Sequence, residues 1–205
     1  MKNFVLFFTC ILLCAFNPLE ADNLVLADYD LKDLSAEEYP FIHSPLHSPD
    51  SPVIYYFDAE SGDDNLDGLT PATAWKSLSK IENLSLQPGD EVLLKAGTVF
   101  SGQSIVLTNQ LGAEGNPIKI GSYGTGDKPV INMGTLSRYA VVITSSEYIE
   151  MEGIEMTGGN GGVNFTWINS KVEYRHFVFR DLYIHHCYNS NGSAFLLNMI
   201  PKGET

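Results

Sequence analysis

Two segments of the sequence, IEMEGIEM at residues 149–156 and FVFRDLYI at residues 177–184, align residue by residue 28 positions apart. Each begins with apolar side chains at its first and third positions. The side chain between them is Glu150 in the first segment and Val178 in the second. This alternation predicts short strands that turn one face toward a core. The repeat itself indicates a fold built from copies of one structural unit.

Matching strands recur along the chain in two series. The first series begins at intervals of 26, 31 and 28 residues: Val92–Leu94, Ile118–Ile120, Ile149–Met151 and Phe177–Phe179. The second series falls between them: residues 140–144, 162–166 and 194–198. Repeats of just under 30 residues favour an all-β solenoid in which each turn contributes two or three short parallel strands. The alternative is a β-sandwich, in which so regular a spacing would be a coincidence.

Residues 53–90 precede the repeats and are predicted to form a strand and a capping helix. Val53–Phe57 is a β-branched and aromatic run, and Ser61–Gly68 is rich in turn formers. Thr70 and Pro71 suit the N-cap and first position of a helix. Its apolar residues would recur at helical spacing: Trp75, Leu78, Ile81 and Leu84. Because the open end of a solenoid exposes core and backbone edges, this amphipathic helix is predicted to cover the first coil.

Several phrases of the sequence carry a family resemblance: Gly62–Gly68, Thr70–Leu78, Pro88–Asp90, Gly115–Gly124 and Lys128–Ile131. They resemble the N-terminal part of bacterial secreted proteins with a right-handed parallel β-helix, the pectate-lyase-like superfamily. The likeness covers about residues 53–199 and is more specific for fold than for activity. It implies a right-handed parallel β-helix. Secreted members include polysaccharide lyases, glycoside hydrolases, epimerases and proteins without known catalysis.

The first 52 residues indicate export. Residues 1–27 have a charged start and a short apolar run at Phe4–Phe16, which is typical of a signal peptide. The run is too short to span a bilayer core of about 30 Å, so no transmembrane segment is expected in the mature chain. A lipid anchor on Cys14 is the alternative to a secreted extracellular or periplasmic protein. Residues 28–52 form an acidic linker rich in proline and serine.

Charge and cysteine content limit the partners and the bonds that hold the fold. Cleavage after residue 27 would leave Cys187 as the single cysteine of three, so no intrachain disulfide is expected. The formal net charge of −13 disfavours nucleic acid as a partner, since phosphate binding requires basic surface. An acidic surface suits divalent cations.

Two groups of residues are candidates for substrate binding. Glu152 and Arg180 occupy equivalent positions in the two aligned segments and are predicted to stack on the outer face, as the edge of a carbohydrate site or as a surface ion pair. The second group could stack sugar rings and hold carboxylates. It comprises Trp167, Arg175, His185 and His186. The alternative is that Trp167 and one histidine pack at a corner of a coil.

Asp63, Asn65 and Asp67 alternate in the manner of a calcium-binding loop. An EF-hand is excluded because Ala74 occupies the position of its bidentate glutamate. A turn of Asn and Asp residues that caps the helix is the alternative to a metal site. Calcium is therefore a candidate cofactor of the full-length protein, although no calcium site is evident in this chain.

The resemblance implies an extracellular carbohydrate-active protein, a polysaccharide lyase or glycoside hydrolase whose partner is an acidic or plant-type polysaccharide. The alternative is a noncatalytic glycan-binding or adhesin-like surface protein. A lyase needs a base and a cation at a uronate carboxylate, and no complete group of this kind is visible.

The solenoid is expected to continue beyond residue 205, with the catalytic residues in its later coils. Ala194–Met199 is predicted to be a strand on which nothing stacks. Residues 28–205 expressed alone are therefore expected to aggregate or to unfold easily.

Overall fold

The computed structural model describes residues 51–168, 175–188 and 192–200. The predicted signal peptide and nearly all of the predicted linker lie outside these ranges. Within them the chain forms the following strands: β1 Ile54–Phe57, β2 Glu91–Lys95, β3 Val99–Ser101, β4 Ile105–Thr108, β5 Ile118–Tyr123, β6 Val130–Asn132, β7 Tyr139–Thr144, β8 Ile149–Glu152, β9 Glu155–Thr157, β10 Gly161–Ile168, β11 Phe177–Arg180, β12 Tyr183–His185 and β13 Ser193–Ile200.

The strands form three parallel sheets, to which successive coils contribute one strand each. Sheet A has the order β1-β2-β5-β8-β11, sheet B the order β3-β6-β9-β12 and sheet C the order β4-β7-β10-β13. Each strand pairs in parallel with the strand one coil away. This is a parallel β-solenoid, as predicted. It rules out the sandwich of antiparallel hairpins.

The two series of strands identified in the sequence correspond to two of these sheets. The first series lies in sheet A and the second in sheet C. One register differs from the predicted spacing, because Val92 pairs with Ile120, 28 residues away, rather than with Ile118. A shift of two residues keeps the same side chains on the inner face.

The core lies between the three sheets. Inward side chains of sheet A are almost wholly buried: Val92, Leu94, Ile118, Ile120, Ile149 and Met151. Sheet B contributes one central side chain per strand, and Phe100, Ile131 and Met156 are fully buried. Burying each such side chain stabilises the fold by about 1.5–3 kcal/mol. Repetition of the inward positions from coil to coil therefore makes the core continuous along the solenoid.

The segment before β2 corrects one prediction, since it forms two short 3₁₀ helices, Pro71–Thr73 and Leu78–Asn83, rather than one amphipathic helix. Thr70 caps the first of them, and its hydroxyl accepts a hydrogen bond from the Thr73 amide. Trp75 then turns extended and forms a parallel bridge with Phe57 of β1. This backbone pairing interrupts the helix, because Trp75 N donates to Tyr56 O while Trp75 O accepts from Asp58 N.

The second 3₁₀ helix packs against β4, the edge strand of sheet C. A period of three residues places Leu78 and Ile81 on one side, and both are fully buried. Two glutamine side chains satisfy backbone groups at this junction. Gln103 Oε1 accepts from Leu78 N at 2.8 Å, and Gln110 Oε1 accepts from Leu86 N at 2.9 Å.

In the parts of the chain that the structure describes, no helix has the length and apolar character of a transmembrane span.

Candidate functional site

The outer face of sheet A carries a row of charged side chains. Along β2, β5 and β8 buried apolar residues alternate with outward residues, which include Glu91, Lys119 and Glu150. Because these strands are in register, Glu91 pairs with Lys119 and Lys119 with Glu150. Arg180 of β11 pairs with Glu152 of β8, as the alignment of the two segments predicted.

These charges form ion pairs across the strands. Lys119 Nζ lies 3.4 Å from Glu91 Oε1. Arg180 Nη1 lies 3.3 Å from Glu150 Oε2 and 3.9 Å from Glu152 Oε2, so that one guanidinium nitrogen serves two carboxylates. The Arg180 side chain is 54% exposed, and such pairs stabilise a fold by about 1 kcal/mol at most. Their small contribution to stability leaves these groups available for contacts with a ligand.

The Glu150 carboxylate is held by two side chains, those of His176 and Arg180. His176 Nε2 lies 2.7 Å from Glu150 Oε1, and the His176 ring is stacked on Tyr148 at 5.6 Å. The hydrogen bond with His176, followed by that from Arg180, lowers the pKa of Glu150. Glu150 is therefore suited to accept hydrogen bonds as a carboxylate and not to donate a proton.

A groove of about 340 Å³ lies on this face; we call it the sheet A groove, and its lining includes Leu93, Lys119, Gly121, Glu152 and Arg180. Gly121 pairs with Leu93 of the neighbouring strand. A Cβ atom built on Gly121 would meet nothing closer than Leu93 Cδ2, at 3.5 Å. The missing side chain thus opens the groove, whose volume lies near the lower end of the range of about 300–1,000 Å³ for ligand pockets.

His185 and His186 lie elsewhere, at the end of β12 and in the residue after it. His185 Nε2 lies 3.0 Å from Glu155 Oε1, and His185 Nδ1 lies 3.5 Å from Thr157 Oγ1. The two histidines also contact each other through their Nδ1 atoms. Glu155 and Thr157 belong to β9, so this cluster lies on sheet B and not at the sheet A groove.

Trp167 and Arg175 occupy two further positions. Trp167 of β10 is stacked on Phe165 at 5.7 Å and packs against the core. Trp167 lies within a strand of sheet C, whereas the alternative placed it with one histidine at a corner of a coil. Arg175 is exposed and precedes β11, where its carbonyl accepts from Tyr148 N. The five predicted substrate-binding residues therefore do not form one site. The part of each in binding stays a prediction.

His176 and Gly121 were not predicted to be parts of a site. No periodic signal marks His176, which precedes β11 and reaches Glu150 one coil away. Gly121 has no side chain to suggest a role. Lys119 does carry a sequence signal, because it occupies the outward position of a predicted strand.

The Asp63–Asp67 loop is held by its own hydrogen bonds. Asp63 Oδ1 accepts from both the backbone and side-chain nitrogens of Asn65, at 2.9 and 2.8 Å. Asp67 Oδ1 accepts from Leu69 N at 3.0 Å. Within the described ranges no group of three or more His, Cys, Asp or Glu side chains is arranged to hold a metal ion. Calcium binding by this loop stays a prediction.

The chain is similar to lacto-N-biosidases in sequence and in structure. It is 30% identical over 139 residues to the lacto-N-biosidase of Bifidobacterium longum subsp. longum, an alignment that covers 55% of this chain. The GH136 lacto-N-biosidase of Eubacterium ramulus, solved as a selenomethionine derivative and as the native protein, matches with TM-scores of 0.63 and 0.62. Both structures are 27% identical in sequence and match 73% and 72% of this chain. No family model matches the sequence.

The matched region is a small part of these proteins. It spans 9% of the curated relative's length and 30% of each solved chain. The similarity supports a relationship to GH136 glycoside hydrolases and agrees with the parallel β-solenoid. The right-handed sense of the coil and membership of the pectate-lyase-like superfamily stay predictions.

Proposed function

We propose that this chain is part of a glycoside hydrolase of the lacto-N-biosidase type and that the sheet A groove contacts its glycan substrate. The observation that carries the proposal is the similarity to lacto-N-biosidases, which holds in sequence over 139 residues and in structure over 73% of the chain. The groove adds a surface on which a glycan can be held.

The groove offers both kinds of hydrogen-bonding partner that a sugar hydroxyl needs. Lys119 and Arg180 are donors only, and the ionised Glu150 and Glu152 are acceptors only. A sugar hydroxyl donates and accepts, so it can bridge neighbouring groups of opposite charge. The hydrogen bonds of Glu150 with His176 and Arg180 fix its carboxylate before a ligand arrives, which reduces the entropic cost of binding.

Glycoside hydrolysis requires a carboxylic acid that protonates the leaving oxygen and a second carboxylate. The proton donor needs a raised pKa, whereas that of Glu150 is lowered. We therefore assign Glu150 to substrate binding and not to proton transfer.

The charges of the groove favour a neutral glycan over the acidic polysaccharide expected from the sequence. Four carboxylates, Glu91, Glu150, Glu152 and Asp181, line it with two cations, Lys119 and Arg180, and both cations are already paired. A uronate chain would be repelled by the excess negative charge. A hydrolase acting on a neutral glycan is accordingly preferred to a lyase and to a plant-type acidic substrate.

A substrate panel tests the class of activity. The full-length protein that contains this chain is incubated with the p-nitrophenyl β-glycoside of lacto-N-biose, with a tetrasaccharide that ends in lacto-N-biose, and with acidic polysaccharides. Release of lacto-N-biose from the first two supports the proposal. Unsaturated products from the acidic polysaccharides, detected by ultraviolet absorbance, would show a lyase instead.

A glycan-binding protein without catalysis is the second candidate. It uses the same ionised Glu150 as a hydrogen-bond acceptor and requires no proton donor. Binding of the tetrasaccharide without release of any product would identify this function.

Export and calcium belong to the same proposal. A secreted protein whose first residue is Asp28 would support the signal peptide at residues 1–27, and acylation at Cys14 would show the lipid anchor.

We propose that calcium, if bound, is held at Asp63, Asn65 and Asp67. Thermal unfolding with calcium and with a chelator then gives a higher midpoint in calcium, and Asp63→Asn abolishes the difference. Equal midpoints would show that the loop is a turn without metal.

A further inference from the structure

We propose that the outer face of sheet B is a second carbohydrate-binding surface, one that takes an uncharged oligosaccharide lying along the solenoid axis. This surface lies on a different sheet from the sheet A groove, and Asp181 lines both. The inference does not require that the protein hydrolyse its ligand.

Two parallel rows of outward side chains run along this face, which we call the sheet B face. The first row pairs Val99 with Val130, Val130 with Glu155, and Glu155 with Tyr183. The second row follows the same register: Ser101, Asn132, Thr157 and His185. Between the rows the middle residue of each strand points inward, and Phe100, Ile131 and Met156 are fully buried. The two rows therefore lie side by side on the surface.

One row offers apolar surface and the other offers hydrogen-bonding groups, and a sugar ring has surfaces of both kinds. Val99 is 46% exposed and Tyr183 is 55% exposed, so the first row offers apolar surface at both ends. The second row carries hydroxyl, amide and imidazole groups that donate and accept hydrogen bonds. A pyranose presents a C–H face and a rim of hydroxyls, and can contact both rows at once.

The aromatic end of the face is ordered before any ligand binds. The Tyr183 ring is stacked on His185, with centroids 4.3 Å apart and planes 26° apart. His185 is in turn held by Glu155 at 3.0 Å. Fixing the ring in this way reduces the loss of conformational entropy on binding, so Tyr183 is suited to be a stacking platform.

A cavity of about 710 Å³ lies over the first row, lined by Val99, Val130, Glu155 and Tyr183. Lys128 and Asp181, which also line it, form an ion pair of 2.7 Å. Glu155 is engaged by His185, and Asp127 adds a further negative charge to the border. Lys128, the one cation among these lining residues, is already paired, so this face does not favour an anionic ligand.

The spacing of the rows favours a chain of sugars over a single ring. Neighbouring strands lie about 4.7–4.9 Å apart, close to the length of one pyranose in a glycan, so successive sugars can meet successive strands. A protein strand is a poor alternative, because strand addition requires a sheet edge with free backbone groups, whereas this surface is the side-chain face of the sheet.

Calorimetric titration of the full chain with a neutral tetrasaccharide ending in lacto-N-biose, and with the disaccharide lacto-N-biose, tests the proposal. The tetrasaccharide is expected to bind more tightly, because it spans more strands. Tyr183→Ala should weaken its binding about tenfold or more, whereas Tyr183→Phe keeps the ring and should stay within about twofold. Tyr183 is exposed, so both variants should fold, and their unfolding midpoints verify this.

Matched substitutions separate this face from the rest of the molecule. Thr157→Val removes a hydroxyl from the second row and should weaken tetrasaccharide binding about threefold to tenfold. Thr144→Val makes the same change on β7 of sheet C and should leave binding unaltered. Gly121→Val fills the sheet A groove and should leave binding at sheet B intact.

The outcomes also separate this inference from the proposed hydrolase. Binding that is lost in Tyr183→Ala but kept in Gly121→Val supports the sheet B face, even where no product is released. Absence of tetrasaccharide binding to the wild-type chain would overturn the inference. Equal affinity of wild type and Tyr183→Ala, or of tetrasaccharide and disaccharide, would overturn it as well.

Discussion

At the scale of the residue, Glu150 joins two coils through a single carboxylate. One oxygen lies 2.7 Å from His176 Nε2 and the other 3.3 Å from Arg180 Nη1. Both partners favour the ionised form, and the pKa of Glu150 is lowered, chiefly by the hydrogen bond with His176. A carboxylate whose pKa is lower in the folded state stabilises the fold above its unfolded pKa. That stabilisation is lost as the pH falls through the folded pKa.

Glu150→Gln is expected to lower the free energy of unfolding by about 1 kcal/mol or less near neutral pH, because the interaction is only partly buried. The loss should shrink as the pH falls below about 4.3, the ordinary glutamate pKa, and through the lower folded value. Urea unfolding at about pH 7 and about pH 3 measures both differences. Glu114→Gln, at an exposed position, is the control. A loss that is equal at the two pH values would contradict this electrostatic role.

At the scale of the element, Gln110 connects the segment before β2 to the end of β4. It is 7% exposed, and its side chain accepts from Leu86 N and donates to Leu84 O at 2.9 Å each. Leu84 O and Leu86 N follow the second 3₁₀ helix and lie outside the strands of the sheets. The side chain of Gln110 satisfies them instead. A backbone group left unpaired here would be costly.

Gln110→Ala is expected to destabilise the protein by about 1–3 kcal/mol, because it leaves buried backbone groups unsatisfied. The exposed Gln87→Ala is the matched control and should change stability by about 0.5 kcal/mol or less. Denaturant unfolding of both variants gives the comparison. Similar small losses in the two variants would show that Gln110 does not hold this junction.

Sheet B depends on one inward side chain per strand. Ile131, the middle residue of β6, is fully buried, and its neighbours in the row are Phe100 and Met156. Ile131→Ala should therefore cost about 2–5 kcal/mol. Leu136→Ala, at a position 43% exposed, should cost about 0.5 kcal/mol or less. Thermal unfolding of the two variants distinguishes them, and a small loss in Ile131→Ala would contradict the packing of this sheet.

At the scale of the whole molecule, the sequence predicted sheets A and C because their strands contain two inward apolar residues with one outward residue between them. Ile149 and Met151 are an example, and the pattern repeats at Phe177 and Phe179. Strands of sheet B are three residues long with one inward side chain, which is too short to show alternation. The prediction of one continuous helix before β2 was wrong for a different reason, since pairing of Trp75 with Phe57 joins residues distant in sequence.

The candidate site was predictable only where it follows the repeat. Arg180 opposite Glu152 follows from aligning two segments, and the structure places them in register. The closer contacts of Arg180 and His176 with Glu150 depend on side-chain geometry that no spacing encodes. The groove above Gly121 exists because glycine has no side chain. A glycine in a sequence does not by itself indicate a groove.

The central claim is that the sheet A groove holds the glycan substrate of a hydrolase, and Gly121→Val tests it most directly. The substitution places side-chain atoms in the groove, while a Cβ there meets only ordinary contacts, at 3.5 Å and beyond. Release of lacto-N-biose from a tetrasaccharide is measured for the full-length protein that contains this chain and for its Gly121→Val variant. We predict release by the wild type and a loss of about tenfold or more in kcat/KM in a variant that unfolds at an unchanged temperature. Equal rates in the two proteins, or no release by the wild type, would contradict the claim.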